Sequence, residues 1–216
     1  MVKTAVLVSG GGSNLQSLID ARVFGELRGC DLAAVISTSP DAYALTRAEI
    51  AGIPSYIVER DMFPSASVFG FAMVDKLRDL DIELVVLAGY NCELTQPIFK
   101  RFGGRIVDTY PSLMPAFTEA SLSSENVCAE ALRTGVKLTG ATAYFVTETP
   151  RRGPIIVQKA VEVMENDTPA TLRRRVLEEG ENYVLPRALE LFCQDRLTIQ
   201  DGVVHISDGS SEKQEA

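Results

Sequence analysis

The sequence predicts an α/β protein built on a doubly wound, mostly parallel sheet, with antiparallel strands added in its C-terminal half. Three observations predict it. Short apolar, β-branched runs alternate with helix-spaced segments through the first half of the chain. One of those runs, Leu84-Val85-Val86-Leu87-Ala88, is apolar without interruption, the character of a strand covered on both faces. In the second half, strand-like segments at 138–146 and from Ile155 onward are joined by a loop too short to hold a crossover helix.

The chain has 216 residues, enough for one large domain, and no internal repeat or linker divides it. One unit over residues 1–206 and a polar, disordered tail over 207–216 are expected. Charged residues make up 23 % and the net charge is −8, which argues against general affinity for nucleic acid or an anionic membrane. A phosphate bound by such a chain is held locally, against the overall field. The four cysteines, Cys30, Cys92, Cys128 and Cys193, are widely spaced, and no signal-peptide pattern precedes the first strand. They read as reduced thiols in a cytoplasmic protein. No apolar run approaches the ~20 residues of a membrane-spanning helix. His205 is the only histidine.

In chain order, Val6-Leu7-Val8 is a strand that breaks into Gly10-Gly11-Gly12, then Ser13-Asn14 and the helix-spaced Leu15, Leu18 and Ile19. Such a helix start presents free backbone N–H groups and the positive end of the macrodipole. Gly11, Gly12, Ser13 and Asn14 therefore form a candidate phosphate-binding loop, to which Ser13 or Asn14 can add a side-chain donor. The alternative is a Gly-rich turn that merely joins strand to helix; three glycines cost entropy that such a turn does not need. The loop is neither a P-loop, lacking Gly-Lys-Ser/Thr, nor a dinucleotide fingerprint.

Helix is expected over residues 15–21, strand over 31–36, helix over 42–51 and strand over 55–58. A helix over 65–79 is expected to turn Val68, Phe71, Ala72 and Leu77 inward. After strand 84–88, Gly89-Tyr90 closes the turn, and a helix over 94–102 stops at Gly103-Gly104. Ile106-Val107 is the next strand, and Asp108 through Pro115 reads as a two-proline loop. Ser123 or Ser124 is expected to cap a helix ending at Thr134, with Gly135 beyond it. Asp167-Thr168-Pro169 starts a helix reaching as far as Phe192, bent near Gly180 or Pro186. Residues 197–199 and 203–206 form a closing hairpin. Ligands of doubly wound sheets lie beyond the carboxyl ends of the strands, so the Gly loop, Gly89-Tyr90 and the residues after Val107 are expected to line one crevice.

Along nearly its whole length the chain resembles the phosphoribosylglycinamide formyltransferases of purine biosynthesis, which move a formyl group from 10-formyltetrahydrofolate to a glycinamide amine. The resemblance rests on Val8 through Gln16, Val85-Val86-Leu87-Ala88-Gly89-Tyr90, Pro111-Ser112-Leu113-Met114-Pro115, Gly140-Ala141-Thr142 with Phe145-Val146, and Gly153-Pro154-Ile155-Ile156, in the family's order and spacing. It implies the formyltransferase fold, a substrate phosphate on the Gly loop, and a ribose contact at Glu181. It also implies a folate cleft at Tyr90, Asn91, Cys92, Glu93, Leu94, Thr147, Glu148 and Arg151, with 10-formyltetrahydrofolate as the cofactor if the family's activity persists.

The family's catalytic motif is Asn-x-His-Pro-Ser-Leu-x-Pro, completed by an aspartate in the loop before Gly-Pro. Here the matching positions hold Asp108, Tyr110 and Arg151, so none of the three is retained. Cys128 stands for a further histidine, and Ala66 for a folate-contacting arginine. An ionised Asp108 accepts hydrogen bonds only and repels a developing oxyanion. Tyr110, with a reference pKa of ~10, is a poor proton shuttle at neutral pH. Loss of one oxyanion donor alone costs ~10²–10³ in rate. The paired charge changes lead us to expect an Arg151–Asp108 ion pair, or Arg152 in that role, against the alternative of unrelated solvated side chains. The functional expectation is a small phosphorylated, ribose-phosphate-like ligand bound without the family's reaction. An enzyme of altered chemistry and an active formyltransferase with rearranged residues are the rivals.

Overall fold

The structure, a computed structural model, describes residues 1–119, 122 and 126–208. A seven-stranded sheet is built from β1 (Val2–Val8), β2 (Cys30–Ser37), β3 (Ser55–Ile57), β4 (Leu84–Leu87), β5 (Ile106–Tyr110), β6 (Leu138–Phe145) and β7 (Ile155–Glu162). Their order is β3-β2-β1-β4-β5-β6-β7. The first five are parallel, and β6 and β7 are added antiparallel, as the short 147–154 connection requires. The expected α/β class and the mixed sheet are what the chain forms.

Helices cover both faces. On one side α1 (Ser13–Val23), α2 (Tyr43–Ile50), α5 (Val127–Thr134), α6 (Pro169–Arg175) and α7 (Asn182–Cys193) share a core with Val6 and Val8; on the other, α3 (Ala66–Asp79) and α4 (Gln96–Phe102) pack with Ala5 and Leu7. The period-2 alternation of β1 thus feeds two cores at once, which is why its sequence is apolar without interruption from Ala5 to Val8. Each fully buried large side chain, such as Leu7, Leu18, Phe69 or Phe102, contributes about 1.5–3 kcal/mol over leaving it in water.

Three local expectations are corrected, and the irregularity expected near Gly180 takes a specific form. α3 buries Phe69, Met73 and Leu77, while Val68 and Phe71 face solvent. Apolar residues surround this helix, so periodicity alone did not set its phase; contact does, because a Cβ on Gly70 would lie 1.9 Å from Thr95 Oγ1 on the approach to α4. β5 runs on through Asp108, Thr109 and Tyr110, since β6 pairs with all three; they belong to a strand and not to a loop. α4 starts at Gln96, after an extended Thr95 and with Pro97 in its first turn. The long C-terminal helix opens into a π-helical turn at Val176–Glu181, where Gly180 lets the backbone meet β6: a Cβ there would come 2.9 Å from Ala141 Cβ. Pro186 lies inside α7.

Other expectations hold. Thr168 caps α6 in a reciprocal pair with Thr171, and Pro169 follows. Gly135 ends α5 at φ +73°. The caps expected at Ser123 or Ser124 lie outside the described residues, as does the tail beyond 208. β8 (Leu197–Gln200) and β9 (Val203–Ile206) form a separate hairpin closed by Asp201-Gly202, both at positive φ, and exposed His205 lies on it.

Candidate functional site

Strand order reverses direction at β1, which sends β2 to one side and meets β4 on the other, so the carboxyl ends of β1 and β4 open a crevice. The expected neighbours meet there. The Ser9 amide donates to the Gly89 carbonyl at 3.2 Å, and the Asn91 amide to Ser9 Oγ at 3.0 Å. A cavity of about 280 Å³ follows, lined by Gly11, Gly12, Ser13, Asn14, Arg47, Ala88, Gly89 and Arg173.

The three loop glycines have different reasons. Gly12 sits at φ +72°, and a Cβ on it would come 2.7 Å from Ala44 Cβ, so the fold itself demands glycine there. Gly10 and Gly11 have ordinary φ, and nothing lies within 4 Å of where their Cβ would be. Packing does not require them. The loop carbonyls are turned inward: Gly10 accepts from the Ala44 amide, Gly11 from Arg47 Nε and Gly12 from the Gln16 amide. The amides of Gly12, Ser13 and Asn14 stand at the start of α1, where the helix offers them no carbonyl.

The Asn14 side chain has another task. Its Nδ2 donates to Thr109 Oγ1 (3.1 Å) and to Glu181 Oε2 (3.0 Å), tying the loop to β5 and to the π turn. Of the two expected side-chain donors only Ser13 is free of such bonds to described residues. Glu181 is 2 % exposed, and its Oε1 lies 2.7 Å from Arg173 Nη1, an ion pair without the alignment of a hydrogen bond. Asn14 Oδ1 is buried and accepts no hydrogen bond from a described residue. Neither Arg47 nor Arg173 stood out in the sequence. Arg173 and Glu181 are eight residues apart, not a helix-neighbour spacing, and the π turn brings them together. The Arg173-Arg174-Arg175 run in a chain of charge −8 was the available signal.

Asp108, Tyr110 and Arg151 also converge, but not as expected. Among the described residues no ion pair joins Asp108 to either arginine. Asp108 Oδ1 accepts the Thr109 amide at 2.7 Å and Oδ2 the Tyr144 hydroxyl at 3.3 Å. Asp108 as a residue is half-buried, but protein crowds its carboxyl. That desolvation pushes its pKa up to about 7, against the opposing pull of the Thr109 and Tyr144 hydrogen bonds, with Glu181 adding repulsion. The assumption of a fully ionised Asp108 at neutral pH is therefore corrected. Tyr110 is 2 % exposed and donates its hydroxyl to the Phe117 carbonyl at 2.7 Å; burial pushes its pKa up. Arg151 stacks over the Tyr110 ring, 4.9 Å from its centroid, and donates to the Glu119 and Leu122 carbonyls at 2.8 and 2.6 Å. Cys128 is fully buried, and its thiol is pushed up by that burial.

Tyr90, Cys92, Leu94 and Val146 are partly buried against the core that α3 and α4 share. Asn91, Glu93 and Glu148 are exposed, and Thr147 Oγ1 donates to the Thr149 carbonyl. Ala66 opens α3. Free thiols are found at all four cysteines, and among the described residues no helix is long and apolar enough to cross a membrane and no cluster suited to a metal ion occurs.

The formyl transferase family model matches residues 2–189. A phosphoribosylglycinamide formyltransferase of Haemophilus influenzae is 35 % identical over 98 % of this chain and 96 % of that protein. The chain belongs to the phosphoribosylglycinamide formyltransferase family. The glycinamide ribonucleotide transformylase 1 of Symbiobacterium toebii superposes with a TM-score of 0.90 at 39 % identity, over 96 % of this chain and 95 % of the other. The trifunctional purine biosynthetic protein adenosine-3 of Drosophila melanogaster is 37 % identical over 93 % of the chain, which spans 14 % of that longer protein. The β1–β7 sheet described above is thus that of a formyltransferase fold.

Proposed function

We propose that this formyltransferase-family protein binds a small phosphorylated ribose compound in the glycine-loop crevice, in the cytoplasm, without carrying out formyl transfer. Support for binding comes from Gly10 and Gly11, whose lack of side chains no packing contact requires, beside the α1 amides. The observation that carries the loss of transfer is the commitment of the three replaced positions to the protein itself. Tyr110 spends its hydroxyl on Phe117, Arg151 spends its guanidinium on Glu119 and Leu122, and Asp108 receives two donors and offers none when ionised.

A second reading rests on the same carboxyl. With its pKa at about 7, Asp108 is neutral in a large fraction of molecules near pH 7, and a neutral carboxyl donates a hydrogen bond as an oxyanion stabiliser does. This favours an active formyltransferase with rearranged residues, using 10-formyltetrahydrofolate. One assay separates the two: formyl transfer from 10-formyltetrahydrofolate to glycinamide ribonucleotide at pH 6 and pH 8, run beside Asp108→Asn/Tyr110→His/Arg151→Asp. The first reading expects turnover from the triple variant only. Wild-type turnover that falls between pH 6 and pH 8 establishes the second.

A further inference from the structure

At the end of the sheet opposite the glycine loop, two thiols meet. Cys30 opens β2 and Cys193 closes α7. The two thiols hydrogen-bond to each other, and Thr4 Oγ1 lies 3.3 Å from Cys30 Sγ. A close approach of the backbones brings them together. Gly29 sits at φ +76°, and a Cβ on it would come 2.8 Å from the Cys193 carbonyl oxygen and 3.6 Å from Cys193 Cβ, so glycine lets the chain enter β2 against the end of α7. Cys30 is 5 % exposed, whereas Cys193 is half-buried at the margin of the core. Asp31, Arg22 and Glu83 are the charged groups that act on the pair. The Cys193 hydrogen bond draws the Cys30 thiol below its ordinary pKa, with burial opposing it, and the same contact pushes Cys193 up. The first proton of the pair therefore leaves from Cys30. The other two cysteines are placed differently: Cys92 Sγ contacts Asn91 Oδ1 at 3.7 Å, and Cys128 is fully buried.

We propose that Cys30 and Cys193 form a redox-modification site, a dithiol that a peroxide converts to a disulfide, clamping the end of α7 to the start of β2. Cys30, as thiolate, attacks one peroxide oxygen; the O–O bond breaks, hydroxide leaves and Cys30 becomes a sulfenic acid. The Cys193 sulfur then attacks the Cys30 sulfur, the S–O bond breaks, and the oxygen departs as water with the Cys193 proton. The two thiols give up two electrons in all. The peroxide takes them and ends as two waters, once its hydroxide has taken up the proton that Cys30 lost. A small dithiol reverses the step by exchange. The bond closes a loop of about three-quarters of the chain, where restraint of the unfolded state is strongest. It lies the length of β2, ~23 Å, from the carboxyl end of that strand, so oxidation tightens the fold without entering the glycine loop. The inference is independent of what the crevice binds.

Hydrogen peroxide treatment of the full chain, followed by thiol alkylation and peptide mapping, tests it. The expected product is one intramolecular disulfide joining the Cys30 and Cys193 peptides, with Cys92 and Cys128 outside it. The thermal midpoint is expected to rise by ~5–15 °C on oxidation and to return with dithiothreitol. Cys193→Ser, at the half-buried position, is expected to form no disulfide, to lose the rise and to leave Cys30 as a sulfenic acid that dimedone traps. Cys30→Ala reports the loss of disulfide and of the rise should Cys193→Ser not fold. Peroxide that leaves both thiols alkylatable, carries Cys193 to a sulfinic acid, or pairs either sulfur with Cys92 overturns the site. A Cys30–Cys193 disulfide that forms without raising the thermal midpoint overturns the clamp.

Discussion

The glycine-loop wall and the Asp108–Tyr110–Arg151 wall, tied together by the Asn14–Thr109 hydrogen bond, dispose of their polar groups in opposite ways. On the loop side, the helix offers the first α1 amides no carbonyl, Asn14 Oδ1 has no donor among the described residues, and two glycines leave open space. On the strand side, each replaced residue is spent within the protein, on Thr109, Tyr144, Phe117, Glu119 or Leu122. A buried polar group left without a partner costs ~1–3 kcal/mol. That difference is what the proposed binding without transfer rests on.

The largest effect is expected at the hinge between the walls. Glu181→Ala strands Arg173 and Asn14 around an emptied buried position and should cost ~3–5 kcal/mol of stability by urea denaturation. A cost below ~1 kcal/mol would mean that the pair is a surface-like contact. Next comes the loop. Gly11→Asp adds a negative charge where the backbone is unstrained, so the fold should be retained by circular dichroism while ribose 5-phosphate binding drops ~100-fold. Retained binding would break the contrast between the walls.

Asp108→Asn tests the other wall through pH. A carboxyl whose folded pKa is raised to about 7 holds its proton more tightly folded than unfolded, so wild-type stability falls as pH rises from ~4 through ~7. The variant should therefore be the more stable protein at pH 8, with the advantage shrinking toward pH 4 in thermal melts. An advantage independent of pH would point to hydrogen bonding instead of charge. The smallest effect is expected from Arg151→Ala. Its loss should cost under ~1 kcal/mol and leave ribose 5-phosphate affinity within about twofold, while speeding hydrogen exchange at Phe117 and Glu119.

Local chemistry made much of this legible. The strand–glycine–helix break at residues 8–15, the Asp167-Thr168-Pro169 helix start and the Asp201-Gly202 turn each act within a few residues, so their outcome was readable in place. The phase of α3 was not, because its apolar residues encircle the helix and only the contact of Gly70 with Thr95 selects a face. Nor was the partner of Arg151. Charge alone suggested Asp108, but the backbone at φ +55° and the carbonyls of a segment thirty residues earlier set where the guanidinium goes.

By itself, then, the sequence determined the alternating α/β order, the antiparallel addition, the glycine loop and the family, since these follow from hydrophobic period, turn chemistry and motif spacing. The tertiary structure decided which polar groups were left over. Arg47 reaches the loop from α2, and Glu181 meets Asn14 across 167 residues of chain, through the π turn. Both are consequences of packing at the carboxyl ends of the central strands, and hydrogen-bond satisfaction is a property of the assembled surroundings, not of the residue that carries the group.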